Sequence, residues 1–224
     1  MIFNTHYPHI GGGGSVPVFE YTGNYEYIDD GGGNWRIKFL TSGVFTPLKN
    51  MTIDAFLVGA GGGGSACGGA GGYTATKKSI AILSNNSYSI EIGDGGTGST
   101  VSSTAGGNGG RTSSFSVNAN GGGGGKGRPN RWNGGDGGSG GGAFDAVGGV
   151  DGANGGNNPD DSTYKGGKGQ GTTTREFGEA SGDLYASGGS GVLNGATAGD
   201  ANTGDGGDNG KAGGSGIVVI RNAR

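Results

Sequence analysis

Trp35, Ile37 and Phe39 alternate with Arg36 and Lys38. A period of two puts the apolar side chains on one face of a pleated strand and the basic ones on the other. Short β-like runs at 16–21 and 25–28 come before it, and Asp29-Asp30-Gly31-Gly32-Gly33-Asn34 supplies the turn between. Residues 43–47 read as a further short strand. Thr52 to Val58 is apolar at odd and even positions alike, which marks a central strand covered on both faces. Residues 73–82 and 88–92 follow, separated by Ser84-Asn85-Asn86, then 112–117. Ile217-Val218-Val219-Ile220 closes the pattern with an unbroken apolar run. A helical period is absent. Short strands spaced by Gly/Asn turns predict a mostly β fold, a sandwich of jelly-roll or tumour-necrosis-factor-like type with no α-helix.

Between these strands the apolar pattern gives way to glycine. Gly204, Gly207, Gly210, Gly213 and Gly216 fall at every third position of GDGGDNGKAGGSG. An extended left-handed helix has three residues per turn, so such glycines form a bare face against which another chain can lie closely. The doublets Gly134-Gly135, Gly137-Gly138 and Gly140-Gly141 leave two faces bare, and Gly121 to Gly125 leaves all three, which suits the centre of a bundle. Such helices have no internal hydrogen bonds and must bond to one another. Residues 59–72 and 93–110 keep the same phase and read as excursions from the sandwich. The predicted organisation is an N-terminal peptide and glycine hinge over 1–15, a sandwich over 16–120 with 214–224, and an inserted polyglycine II bundle over 121–213. A flexible Gly/Ser linker is the competing reading. The return of the chain to an apolar final strand argues against it.

Glycine accounts for 62 of 224 residues and proline for 5, with no strict G-X-Y repeat, which excludes collagen. A net charge of −3 disfavours a general nucleic-acid or acidic-membrane binder. Cys67 is the single cysteine, so no internal disulfide framework exists. The start has neither a basic region nor an apolar core of a signal peptide, and no apolar run approaches a membrane span. Synthesis in the cytoplasm and release within a particle reconciles this with the composition.

Glycine motifs occur here by chance. Gly59-x-Gly61-x-x-Gly64 follows a strand but precedes Ser65-Ala66-Cys67-Gly68, which is no helix to receive pyrophosphate. Gly137-x-Ser139-x-Gly141 lacks the strand and histidine of a nucleophile elbow. No catalytic constellation, cofactor site or metal site is expected. His6 and His9 stand at a weak H-x-x-H spacing, and Asp200, Asp205 and Asp208 lack the apolar residue of a calcium nonapeptide repeat. Those carboxylates are expected to project into water.

The informative residues interrupt the glycine. Arg128, Asn130, Arg131 and Trp132, then Phe144, then Asn158 and Tyr164, and finally Arg175, Phe177 and Tyr185 are bulky groups at expected chain reversals. Reversals become loops on a rigid scaffold, where binding residues concentrate, and aromatics with Arg and Asn form binding hot spots. These residues are the candidate receptor-binding set; covering the flanks of the bundle is their alternative role. Phe3, His6, Tyr7, Pro8, His9 and Ile10 lie before the hinge Gly11-Gly12-Gly13-Gly14-Ser15 and are the candidate anchor to a larger assembly.

Trp35 to Phe39, Gly43-Val44-Phe45-Thr46-Pro47, the strand 52–58 running into Gly59-Ala60-Gly61-Gly62-Gly63-Gly64, and the ending Gly213-Gly214-Ser215-Gly216-Ile217-Val218-Val219-Ile220-Arg221 resemble the glycine-rich domain of bacteriophage tail and appendage proteins. The layout is also similar to the glycine-rich region of anaplastic lymphoma kinase and to the tail fibre adhesins of T-even phages. The resemblance implies a non-enzymatic virion component: a tail fibre tip or receptor-binding adhesin, or else a purely structural fibre or decoration. Its implied partners are other virion proteins through the N-terminal peptide, a bacterial surface glycan or outer protein, and further copies in a homotrimer. The chain departs from those adhesins in lacking a dedicated attachment domain, which leaves that task to residues 1–15.

Overall fold

The computed structural model describes residues 4–6, for which only the backbone is considered, and 16–101, 103–127, 133–142, 174–191 and 195–224. Two antiparallel sheets face each other. The first has the order β1 (Asn4–His6), β2 (Phe19–Tyr21), β5 (Gly43–Pro47), β8 (Tyr88–Glu91), β9 (Thr112–Ser114), β10 (Val117–Ala119). The second has the order β3 (Tyr25–Gly31), β4 (Asn34–Phe39), β11 (Ile217–Asn222), β6 (Met51–Val58), β7 (Thr74–Ile82). The fold is a β-sandwich, with no α-helix among the described residues.

The core follows from the alternation. Trp35, Ile37 and Phe39 of β4 point inward with Phe19, Tyr21, Phe45 and Ile90 of the first sheet. Ile53, Ala55 and Leu57 of β6, with Val218 and Ile220 of β11, complete this layer. The intervening residues Phe56, Val58, Ile217 and Val219 face the opposite way into a second apolar cluster. That is why the two runs are apolar throughout: β6 and β11 pair with each other from Ile217↔Val58 to Asn222↔Ile53 and are covered on both sides.

The region read as one strand over 112–117 is a hairpin. Phe115 and Ser116, at φ 48° and 58°, turn the chain between β9 and β10. Positive φ at two successive residues is the geometry of a tight hairpin turn, normally marked by Asn-Gly. Phe-Ser gives no such signal.

From the end of the sandwich that holds Val58, Thr74, Thr112 and Ile217, the glycine segments extend as a hydrogen-bonded lattice. Successive N–H groups of 61–64 donate to Gly214, Ala70, Gly107 and Lys211, so the first and fourth reach the same neighbour. Gly68 and Gly71 donate to Gly142 and Ser139, Gly69 and Gly72 to Gly207 and Gly204, and Ala70 to Gly123. Donors in a β-strand alternate between two sides. Here they repeat every third residue, the rotation of a threefold extended helix.

Residues 59–65 occupy the lattice centre. They donate to three antiparallel segments, 67–73, 107–110 and 211–214. They accept from three parallel ones, through Gly96 and Ser99, Gly122 and Gly125, and Gly207 and Gly210. The centre therefore belongs to this segment and not to 121–125, which lies beside it. Residues 133–142 also differ from one continuous helix. Gly135 and Gly138 donate to Gly68 and Gly71, and the chain then doubles back so that Ser139 and Gly142 accept from Gly71 and Gly68.

Candidate functional site: the far end of the lattice and the strap on the sandwich

Direction along the lattice separates two ends. The near end adjoins the sandwich at residues 59, 73, 93, 110, 120 and 216. At the far end the chain reverses through Ser65-Ala66-Cys67, at the turn where the Thr104 N–H donates to Val101 O, and through 208–211, where the Lys211 N–H donates to Asp208 O at 2.8 Å. Lys126 N–H donates to Asn133 O at 3.0 Å, also at this end. Gly142 pairs with Gly68, and Ser190 with Asn209 and Asp208, also toward this end. Arg128, Asn130, Arg131, Trp132, Phe144, Asn158 and Tyr164 themselves lie outside the described residues.

The far end is tied together by side chains. Asp208 accepts from the Ser190 N–H at 2.6 Å through Oδ1 and from the Thr197 N–H at 2.7 Å through Oδ2. Nearer the sandwich, beside Gly204, Asp205 accepts from the Ser187 N–H at 2.7 Å. These carboxylates cap backbone donors of adjacent segments and do not simply project into water as the sequence leads one to expect. Burial pushes the Asp205 carboxyl up from its ordinary value, against the opposing effect of the Ser187 N–H. Asn209 Nδ2 donates to Ala66 O at 2.8 Å, joining two turns. No group of three or more His, Cys, Asp or Glu suited to a metal occurs among the described residues.

The remaining three candidates lie elsewhere. Residues 174–185 form a small strap closed by Glu176 N–H to Asp183 O and Tyr185 N–H to Thr174 O, both 2.9 Å. Its one helical turn is the 3-10 turn Glu176–Gly178. The strap covers the outer face of the second sheet. Phe177 and Tyr185, 4% and 5% exposed, pack on Phe56 with ring centroids 6.0 and 5.5 Å away. Arg175 Nη1 donates to Gly182 O at 3.0 Å and holds the strap's own turn. The expectation that Phe177 and Tyr185 face outward as loop residues is corrected: an apolar outer sheet face draws them in.

Charge fixes the strap. Glu176 is buried and takes Arg36 Nη1 at 2.7 Å and the Tyr185 hydroxyl at 3.2 Å. Lys38 Nζ lies 3.0 Å from Asp183 Oδ2 and 3.8 Å from Glu176 Oε2. Arg221 stacks over Phe177 at 4.1 Å and donates through Nε to Asp54 Oδ2 at 3.1 Å. Its Nη2 forms an ion pair with Glu179 Oε1 at 2.7 Å. Burial, with the Glu176 charge adding to it, pushes the Tyr185 hydroxyl up to about 12. The Lys38 hydrogen bond holds Asp183 below its ordinary value, and Arg221 does the same for Glu179. These ionic partners are absent from the residues predicted to form the site. Their trace in the sequence is a lone acid and a lone base, Asp54 and Arg221, beside the apolar runs of β6 and β11.

Of the candidate anchor residues, His6 falls in β1, where its backbone pairs with Phe19. Phe3, Tyr7, Pro8, His9 and Ile10 lie outside the described residues.

No curated protein matches the sequence. A family model described as "Glycine-rich domain" matches residues 40–223, which takes in the strands β5 to β11 and the whole lattice. The chain belongs to this glycine-rich domain family.

Proposed function

We propose that the protein is a non-enzymatic phage virion appendage, a tail fibre tip or receptor-binding adhesin, that turns the far end of its lattice toward a bacterial surface. The observation that supports this reading is the gathering of reversals at one end of a bundle whose other end is tied to a sandwich. Side chains carried there stand on closely bonded backbone, which lowers the ordering cost of binding. A glycan or outer protein of the bacterium is the partner class suited to Arg, Asn and Trp on such loops. In this reading the protein is made in the host cytoplasm and resides on the virion, in a trimer joined to other virion proteins.

A second reading, a purely structural fibre or decoration part, draws support from Phe177 and Tyr185. Two of the bulky interruptions serve packing.

Binding of fluorescently labelled protein to a panel of intact bacteria separates the two. Saturable binding to a strain, competed by unlabelled protein and lost in the combined variant Arg131→Ala, Trp132→Ala, Tyr164→Ala, is the result expected of the adhesin. Undiminished binding by that variant contradicts the role given to these loops. Absence of binding across the panel favours the structural part.

A further inference from the structure

β1 is three residues long, and its partner β2 is equally short. The two pair antiparallel as Asn4↔Tyr21, Thr5↔Glu20 and His6↔Phe19. On its other side β2 pairs with β5, so β1 is what closes that edge of the first sheet. Antiparallel neighbours need a connection of only about two to five residues. Residues 7–18 separate these two, and the connection includes Gly11 to Gly14. Twelve residues extended reach about 40 Å, well beyond what an antiparallel turn requires.

We propose that β1 is an exchangeable strand: the 4–6 segment of one chain adds to the β2 edge of a second copy. Strand addition to a sheet edge draws its affinity from main-chain hydrogen bonds, and these are the same whether the strand comes from its own chain or another. A second copy is the occupant because donor and acceptor are encoded in one chain, with their register already matched. The connection has the length to reach a neighbour. Exchange sacrifices only the advantage of the tether, an effective concentration on the millimolar scale. It therefore grows with chain concentration and prevails where copies are held side by side. The inference does not depend on what the far end of the lattice binds.

Two variants test this, both in a Cys67→Ala background so that the introduced thiols are alone. One carries Thr5→Cys and the other Glu20→Cys. Neither can form the cross-strand disulfide within its own chain, so a disulfide between them reports pairing between copies. A third variant, Lys211→Cys, places an exposed thiol at the far end of the lattice, away from the β2 edge, and measures random collision. Near-ultraviolet circular dichroism of each variant checks the fold. Mixed at about 1 mM under mild oxidation, the Thr5→Cys and Glu20→Cys chains are expected to join about tenfold faster than Thr5→Cys and Lys211→Cys. The difference should shrink when a synthetic peptide of residues 1–15 is added in excess. Equal rates for the two mixtures, or no disulfide between the first pair at that concentration, would overturn the proposal.

Discussion

Gly62 shows what the lattice demands of a single residue. Its N–H donates to Ala70, its carbonyl accepts from Gly207, and a Cβ built on it would fall on the carbonyl oxygen of Gly123. The obstruction is backbone, which no rotamer change relieves. Gly31 is glycine for another reason: its φ is +77° and nothing lies within 4 Å of the position a Cβ would take. Gly62→Ala is expected to destabilise the fold by about 3 kcal/mol or more, the overpacking cost of a site that cannot yield. Gly31→Ala is expected to cost about 1 kcal/mol, from backbone strain alone. Urea denaturation of the two variants checks the order; equal losses would mean that close approach is not what selects Gly62. Ala60 and Ala70 are fully buried in the same lattice, which shows that a methyl is accepted where neighbouring segments leave room.

At the scale of the element, the strap is held by charge more than by its own structure. Asp183 and Glu179 have lowered carboxyl values, through Lys38 and Arg221. Groups with lowered folded values contribute stability that is complete above their ordinary range and is lost as pH falls through the lowered values. Asp205 in the lattice has the opposite sign, since burial raises it. Its contribution is complete at low pH and is lost as pH rises through the raised value. Acid is therefore expected to loosen the strap before the lattice. Hydrogen-exchange protection factors over 174–186 should fall between pH 5 and pH 3 while those of 204–214 hold; a parallel loss in both would contradict this assignment of charges. The strap is also where sequence reading falls short. Arg36 and Lys38 alternate with core residues and so read as solvent-facing. Phe177 and Tyr185 stand in a polar stretch and read as loop tips. Their meeting across some 140 positions in sequence, as in Arg36 with Glu176, leaves no periodic trace. By contrast, Thr52 to Val58 and Ile217 to Ile220 announce two-sided burial in their own composition, and Gly43–Pro47 is a strand with the bounds read from the sequence. The hairpin at Phe115-Ser116 went unread because its turn uses residues that seldom adopt positive φ.

At the scale of the molecule, the glycine lattice is the feature on which the rest depends. Period-three glycine spacing carries the idea of extended helices packed together, but spacing alone does not say which segment lies at the centre. That is decided by the sandwich, whose strands β6 and β11 place 59–65 and 211–216 next to each other. Residues 59–65 continue directly from a strand buried from Ile53 to Val58, so a strand covered on both faces feeds a lattice segment that is buried throughout. The measurement that tests this most directly is residue-resolved amide exchange by NMR at neutral pH. The lattice predicts strong protection at Gly61 to Gly64, close to that of β6 and β11, decreasing outward to the far-end turns at 99–101 and 208–211. Exchange at Gly61 to Gly64 at the rate of an unstructured peptide, with β6 still protected, would show a sandwich carrying loose glycine loops, and would contradict the rigid scaffold on which the proposed binding role rests.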